Sequence, residues 1–97
     1  MIREFFLGFI KIHILYHASK QPIYGLWLIE ELGRHGYKLG PGTLYPILHS
    51  LENRMFLNSY QQTVEGKIRK YYKITPKGKK ALNEVRGRIR ELVKEVI

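Results

Sequence analysis

The chain contains no cysteine. Disulfides, thiolate zinc sites and thiol redox chemistry are therefore excluded. It contains no aspartate either, since all eight acidic residues are glutamate. No glycine-rich loop follows a strand-like segment, so nothing is set to cradle a nucleotide phosphate. The opening run from Ile2 to Ile10 is apolar, but Lys11 and His13 interrupt it and no small-residue cleavage site follows. A secretory signal is not indicated. No stretch reaches the roughly 18 apolar residues of a membrane span. These absences predict a soluble, cytoplasmic protein that is not an enzyme and holds no cofactor.

What is abundant is positive charge. Seventeen Lys and Arg against eight Glu give a formal net charge of +9 over 97 residues. Such an excess in a small chain points to a polyanionic partner, with a generically basic protein as the alternative. The length predicts a single domain over residues 1–97. A chain of this size buries only roughly 60–65% of its unfolded surface, so a long apolar helix face left over would ask for a partner subunit.

Residues 2–17 read as a helix with two apolar stripes, Ile2, Phe5, Phe9, Ile12 and Tyr16 on one side and Phe6, Ile10 and Ile14 on another. Ser19 to Pro22 read as a break, with Pro22 suited to the start of the next helix. Residues 23–34 follow as that helix, with Leu28 and Leu32 inward and Gly33 and Gly36 at its end. Pro41 and Gly42 open a third helix running to about Met55, with Leu44, Ile47 or Leu48, and Leu51 inward. Pro46 costs at most one early hydrogen bond if that helix starts at Gly42 or Thr43, and kinks it if the start is earlier. Residues 56–63 and 68–74 read as a hairpin around Val64–Lys67, with Gly66 in the turn and Tyr72 and Ile74 sharing one face. Thr75 is an N-cap and Pro76 a first helical residue. In the last helix Leu82, Val85, Ile89, Leu92 and Val96 form a 3-4-3-4 seam.

The predicted fold class is mostly α with a small β-hairpin (α+β). Its order of elements is that of a winged helix-turn-helix, with a reading unit and wing at 22–75 between helices at 1–18 and 76–97. Such an arrangement offers its third helix to a DNA major groove. Thr43, Tyr45 and His49 lie on the outer side of that helix, where their hydroxyl and imidazole groups reach base edges or phosphates. The basic run Lys67, Arg69, Lys70, Lys73, Lys77, Lys79 and Lys80 follows on the hairpin and the last helix. Lys67 and Arg69 are the best placed for DNA, and Lys77, Lys79 and Lys80 are ambiguous. The candidate DNA-contacting set is Thr43, Tyr45, Pro46, His49, Lys67, Arg69 and Tyr72. The candidate homodimer interface is Phe5, Phe9, Ile12, Leu82, Val85, Ile89, Leu92 and Val96. His13, His17, His35 and His49 are spread over different elements. The first two stand at the i, i+4 spacing that can share a metal, but no carboxylate lies between them and no metal ligand is assigned.

Residues 24–82 resemble the PadR type of winged helix. The resemblance is carried by Tyr24-Gly25, by Gly42-Thr43-Leu44-Tyr45-Pro46 with Leu48 and Leu51-Glu52, and by Lys70-Tyr71-Tyr72-Lys73-Ile74-Thr75 with Gly78. It implies a homodimer built on the first and last helices, repression at a palindromic operator on double-stranded DNA, and release by a small apolar or phenolic effector. The alternative is a nonspecific, architectural DNA-binding protein. Two residues depart from the pattern. Met55 stands where a glycine turn is usual, and either adopts positive φ at a penalty of about 1 kcal/mol or more or marks a different turn. Trp27 replaces a residue more often polar, and is an exposed aromatic, an interface anchor or part of a ligand pocket.

Overall fold

The computed structural model describes residues 2–97. Helix α1 spans Arg3–Lys20, strand β1 Ile23–Tyr24, α2 Gly25–Arg34, α3 Pro41–Asn53, β2 Leu57–Val64, β3 Lys67–Ile74 and α4 Pro76–Val96. The three strands form one antiparallel sheet in the order β1-β3-β2.

The two stripes of α1 part as their spacing dictates. Ile10 and Ile14 are fully buried, while Ile2, Phe5, Phe9 and Tyr16 remain exposed. Around the buried stripe gather Leu28 and Leu32 of α2, Leu44, Ile47, Leu48 and Leu51 of α3, Leu57 of β2, Tyr72 of β3 and Leu82 of α4. Both Ile47 and Leu48 face inward, so the alternative between them dissolves.

Two boundaries differ from expectation. Helix α1 runs on through Ser19, whose hydroxyl donates to the Tyr16 carbonyl at 2.5 Å, and ends at Lys20. Pro22 does not open the next helix. Ile23 and Tyr24 are extended instead, paired with Tyr72 and Tyr71 of β3, and α2 begins at Gly25.

Helices α2 and α3 end in the same motif. After α2, the amides of Gly36 and Tyr37 bond back to the carbonyls of Gly33 and Leu32; after α3, those of Met55 and Phe56 bond back to Glu52 and Leu51. This Schellman arrangement needs a left-handed residue just past the cap. Gly36 supplies it at φ 88° and Met55 at φ 66°. Helix α4 starts as its sequence predicts. The Thr75 hydroxyl accepts from the Gly78 amide at 2.9 Å and donates to the Met55 carbonyl at 2.6 Å, so one side chain caps α4 and ties it to the end of α3. A side chain on Gly78 would collide with the Phe56 carbonyl, so this crossing requires glycine.

Candidate nucleic-acid interface

Helix α3 begins at Pro41, with Gly40 as a cap that has no side chain to offer. Pro41 has no N–H and the Thr43 amide bonds the Gly40 carbonyl at 3.1 Å, so the Gly42 amide is the first-turn donor left for an external acceptor such as a phosphate. Pro46 is the sixth residue of the helix, so the earlier start applies, and its missing N–H leaves the Gly42 carbonyl without the usual i+4 donor. Tyr45, Pro46 and His49 are exposed and Thr43 is half-buried. Tyr45, Pro46 and His49 line an open groove together with Ser50, Asn53 and Arg54. The Tyr45 ring rests on Gly25 at the start of α2, where an added Cβ would stand 2.8 Å from the ring carbon bearing the hydroxyl.

The hairpin of β2 and β3 turns through Glu65 and Gly66, both at positive φ (50° and 80°), the two-residue geometry that matches strand twist. Lys67 and Ile68 are exposed beside the turn, Ile68 at 72%. Arg69 is half-buried, with its guanidinium over the Tyr24 ring at 4.0 Å and within 3.4 Å of the Tyr71 hydroxyl. Its pKa rises above an already high value, first through the bond to Tyr71. A crevice lined by Tyr24, Tyr45, Lys67 and Arg69 joins this wing to the outer side of α3.

Several basic residues have other partners. Lys70 pairs with Glu52 at 3.7 Å, and the Ser59 hydroxyl donates to the same carboxylate, so Glu52 links α3 to the sheet. Lys77 donates to the Arg54 carbonyl at 2.9 Å over the Phe56 ring and serves the end of α3. Lys79 and Lys80 are exposed. One assignment is corrected: Tyr72 is 1% exposed, at the centre of the core. The strand period of two turns Tyr71 outward and Tyr72 inward, so Tyr72 cannot reach DNA.

The profile of the transcriptional regulator PadR-like family matches residues 14–84. A curated transcriptional regulator of Mycobacterium tuberculosis is 47% identical over 96 residues, covering 99% of this chain and 90% of its own. The chain belongs to the PadR-like family of transcriptional regulators. Its structure is similar to that of a PadR family regulator of Eggerthella lenta (TM-score 0.86, 32% identity, 99% of this chain and 85% of the other). It is also similar to a PadR-like transcription factor of Bacteroides fragilis (TM-score 0.83, 33% identity, 93% and 88%). The PadR signature residues have physical tasks here. Gly25 makes room for Tyr45, Tyr72 anchors β3 in the core, Thr75 caps α4, and Gly78 lets α4 cross Phe56.

A second surface of this PadR chain, apolar in character, is built by α1 and α4. Phe5 and Phe9 are exposed, Ile12 and Val85 half-buried, and Ile89, Leu92 and Val96 exposed at 39%, 58% and 69%. Leu82 departs from the expected interface, being 3% exposed and part of the protomer's own core. Between α1, α4 and the end of α2 lies a cleft of about 320 Å³, lined by Phe9, Ile12 and Ile89 and by three histidines, His13, His17 and His35. Those histidines read as scattered along the chain, yet the fold brings them together, because α2 ends against the middle of α1. Trp27 is half-buried and packs edge-on against His17, with ring centroids 5.3 Å apart. Among the described residues, no helix is long and apolar enough to cross a membrane.

Proposed function

We propose that this PadR-like regulator acts in the cytoplasm as a homodimeric repressor of a palindromic operator. Helix α3 enters the major groove with Thr43, Tyr45, Pro46 and His49, and the wing brings Lys67 and Arg69 to the adjoining phosphates or minor groove. The observation that carries this reading is the continuous surface from the uncapped start of α3, across exposed Tyr45 and His49, to the cationic crevice of the wing. Its supporting observation is the apolar outer face of α1 and α4, which water leaves costly to expose. Two-fold pairing there would set two copies of α3 about 34 Å apart, one helical turn of DNA. Release by a small effector is supported by the cleft beside that face.

Selection of bound sequences from a random DNA pool, followed by footprinting, tests the reading. A symmetric site bound at least ~10³-fold tighter than random DNA is expected. A flat preference with a steep salt dependence would instead establish the nonspecific mode that the net charge of +9 alone could sustain.

A further inference from the structure

We propose that His13, His17 and His35 bind one divalent transition-metal ion of the zinc class at the polar end of the cleft between α1, α2 and α4. One ligand nitrogen from each histidine lies within 4.8 Å of the other two. His13 and His17 are one turn apart on α1, and His35 is the C-cap of α2, so the ion would fasten the two helices together. Neutral imidazole is a preferred ligand for Zn²⁺, Ni²⁺ and Cu²⁺. Zinc–nitrogen bonds of about 2.0–2.1 Å place tetrahedral ligands roughly 3.3–3.4 Å apart. The rings therefore have to close by an ångström or so and rotate, since His13 and His35 now stack at a centroid distance of 5.0 Å.

Two further observations favour a cation. The Nε2 atom of His17 is buried and has no hydrogen-bond partner, an expensive state for a polar atom. Glu31, with a side chain only 12% exposed, places one carboxylate oxygen 3.0 Å from Nε2 of His35 and 3.6 Å from Nε2 of His17. The same oxygen thus stands beside both Nε2 atoms, where it holds the His35 ring in place and sets negative charge next to the ion. The remaining coordination position would open to the cleft.

The binding test needs no DNA, so its failure and that of the operator reading are separate events. Tag-free protein, stripped with EDTA and dialysed, is titrated with Zn²⁺ against a chromophoric chelator, and with Co²⁺ by visible absorption. The expected result is one ion per chain, a tetrahedral Co²⁺ spectrum and a higher Tm with Zn²⁺. His17→Ala and His35→Gln each lower Zn²⁺ affinity by at least ~10-fold, and Glu31→Gln by about 10–100-fold. The exposed Glu30→Gln control on the same helix leaves it unchanged. His35 is 45% exposed, so His35→Gln stays folded even if His17→Ala does not, and far-UV circular dichroism checks both. The proposal is overturned if wild-type protein fails to compete with the chelator, or if His35→Gln binds Zn²⁺ as tightly as wild type.

Discussion

The two broad faces of this small molecule are made from opposite materials. On one, α3 and the wing present hydroxyl, imidazole and cationic groups, and even the half-buried Arg69 is held in place by Tyr24 and Tyr71. On the other, α1 and α4 present Phe5, Phe9, Ile89, Leu92 and Val96 to water. The first face is favourable left open and gains by meeting a polyanion. The second is unfavourable left open and gains by being covered. A thin core explains why both faces exist: α1 gives one stripe to the interior, and the described residues cover the other only in part. The difference teaches where mutations should act, because an interface built on burial fails through inserted charge, whereas one built on charge and hydrogen bonds fails gradually.

The largest effect is expected from Ile89→Glu. Ile89 keeps 39% of its surface exposed within the protomer, so the fold tolerates the change. In a two-fold dimer two isoleucine contacts are lost, each worth about 1.5 kcal/mol or more, and two carboxylates enter an apolar seam. Sedimentation should show monomers. An unaltered dimer would remove the α4 seam from the interface. Next is Tyr45→Ala, which should lower operator affinity by about 1–3 kcal/mol while sedimentation still shows a dimer. Tyr45→Phe separates the two tasks of this residue, since it keeps the ring on Gly25 and deletes only the hydroxyl; a smaller loss is expected. Equal binding by wild type and Tyr45→Ala would take Tyr45 off the reading surface. Smaller in sequence discrimination, though not in total binding, is the double change Lys67→Ala with Arg69→Ala. It should weaken operator and random DNA alike and lower the slope of log affinity against log salt by roughly 2, about one per lost phosphate contact. A loss confined to the operator would move these residues from phosphates to bases.

Legibility in the sequence followed the range of the interactions. Features settled within a few residues were readable: the start of α4 from Thr75-Pro76, the hairpin turn at Gly66, the split stripes of α1 and the inward leucines of α3. Features settled across the chain were not. Ile23 and Tyr24 form a strand only because Tyr71 and Tyr72, nearly 50 residues away, offer an edge, and no local pattern of two residues announces that. Leu82 continues the seam of α4 by spacing, but the fold closes over it. Tyr72 was legible and misassigned: its alternation with Ile74 already placed it inward. The histidine cluster lay beyond reach because His35 meets His13 and His17 only after α2 has packed on α1.

The smallest predicted effect tests the two helix ends against each other, one belonging to each side of the recognition unit. Both close with the same pair of backbone hydrogen bonds, yet one uses Gly36 and the other Met55 in the left-handed region. A side chain there costs about 1–2 kcal/mol, and the greater freedom of an unfolded glycine returns roughly 0.5–1 kcal/mol of that on substitution. Met55→Gly should therefore stabilise the protein by about 0.5–1 kcal/mol, and Gly36→Ala should destabilise it by about 1 kcal/mol. Denaturant midpoints measured at one protein concentration, with unchanged m-values, check both. Met55 is 60% exposed, so little packing within the protomer is lost with its side chain. If Met55→Gly proves no more stable than wild type while Gly36→Ala behaves as expected, the Met55 side chain must gain from a contact outside the protomer what its backbone loses, and the end of α3 would join the surfaces that a partner covers.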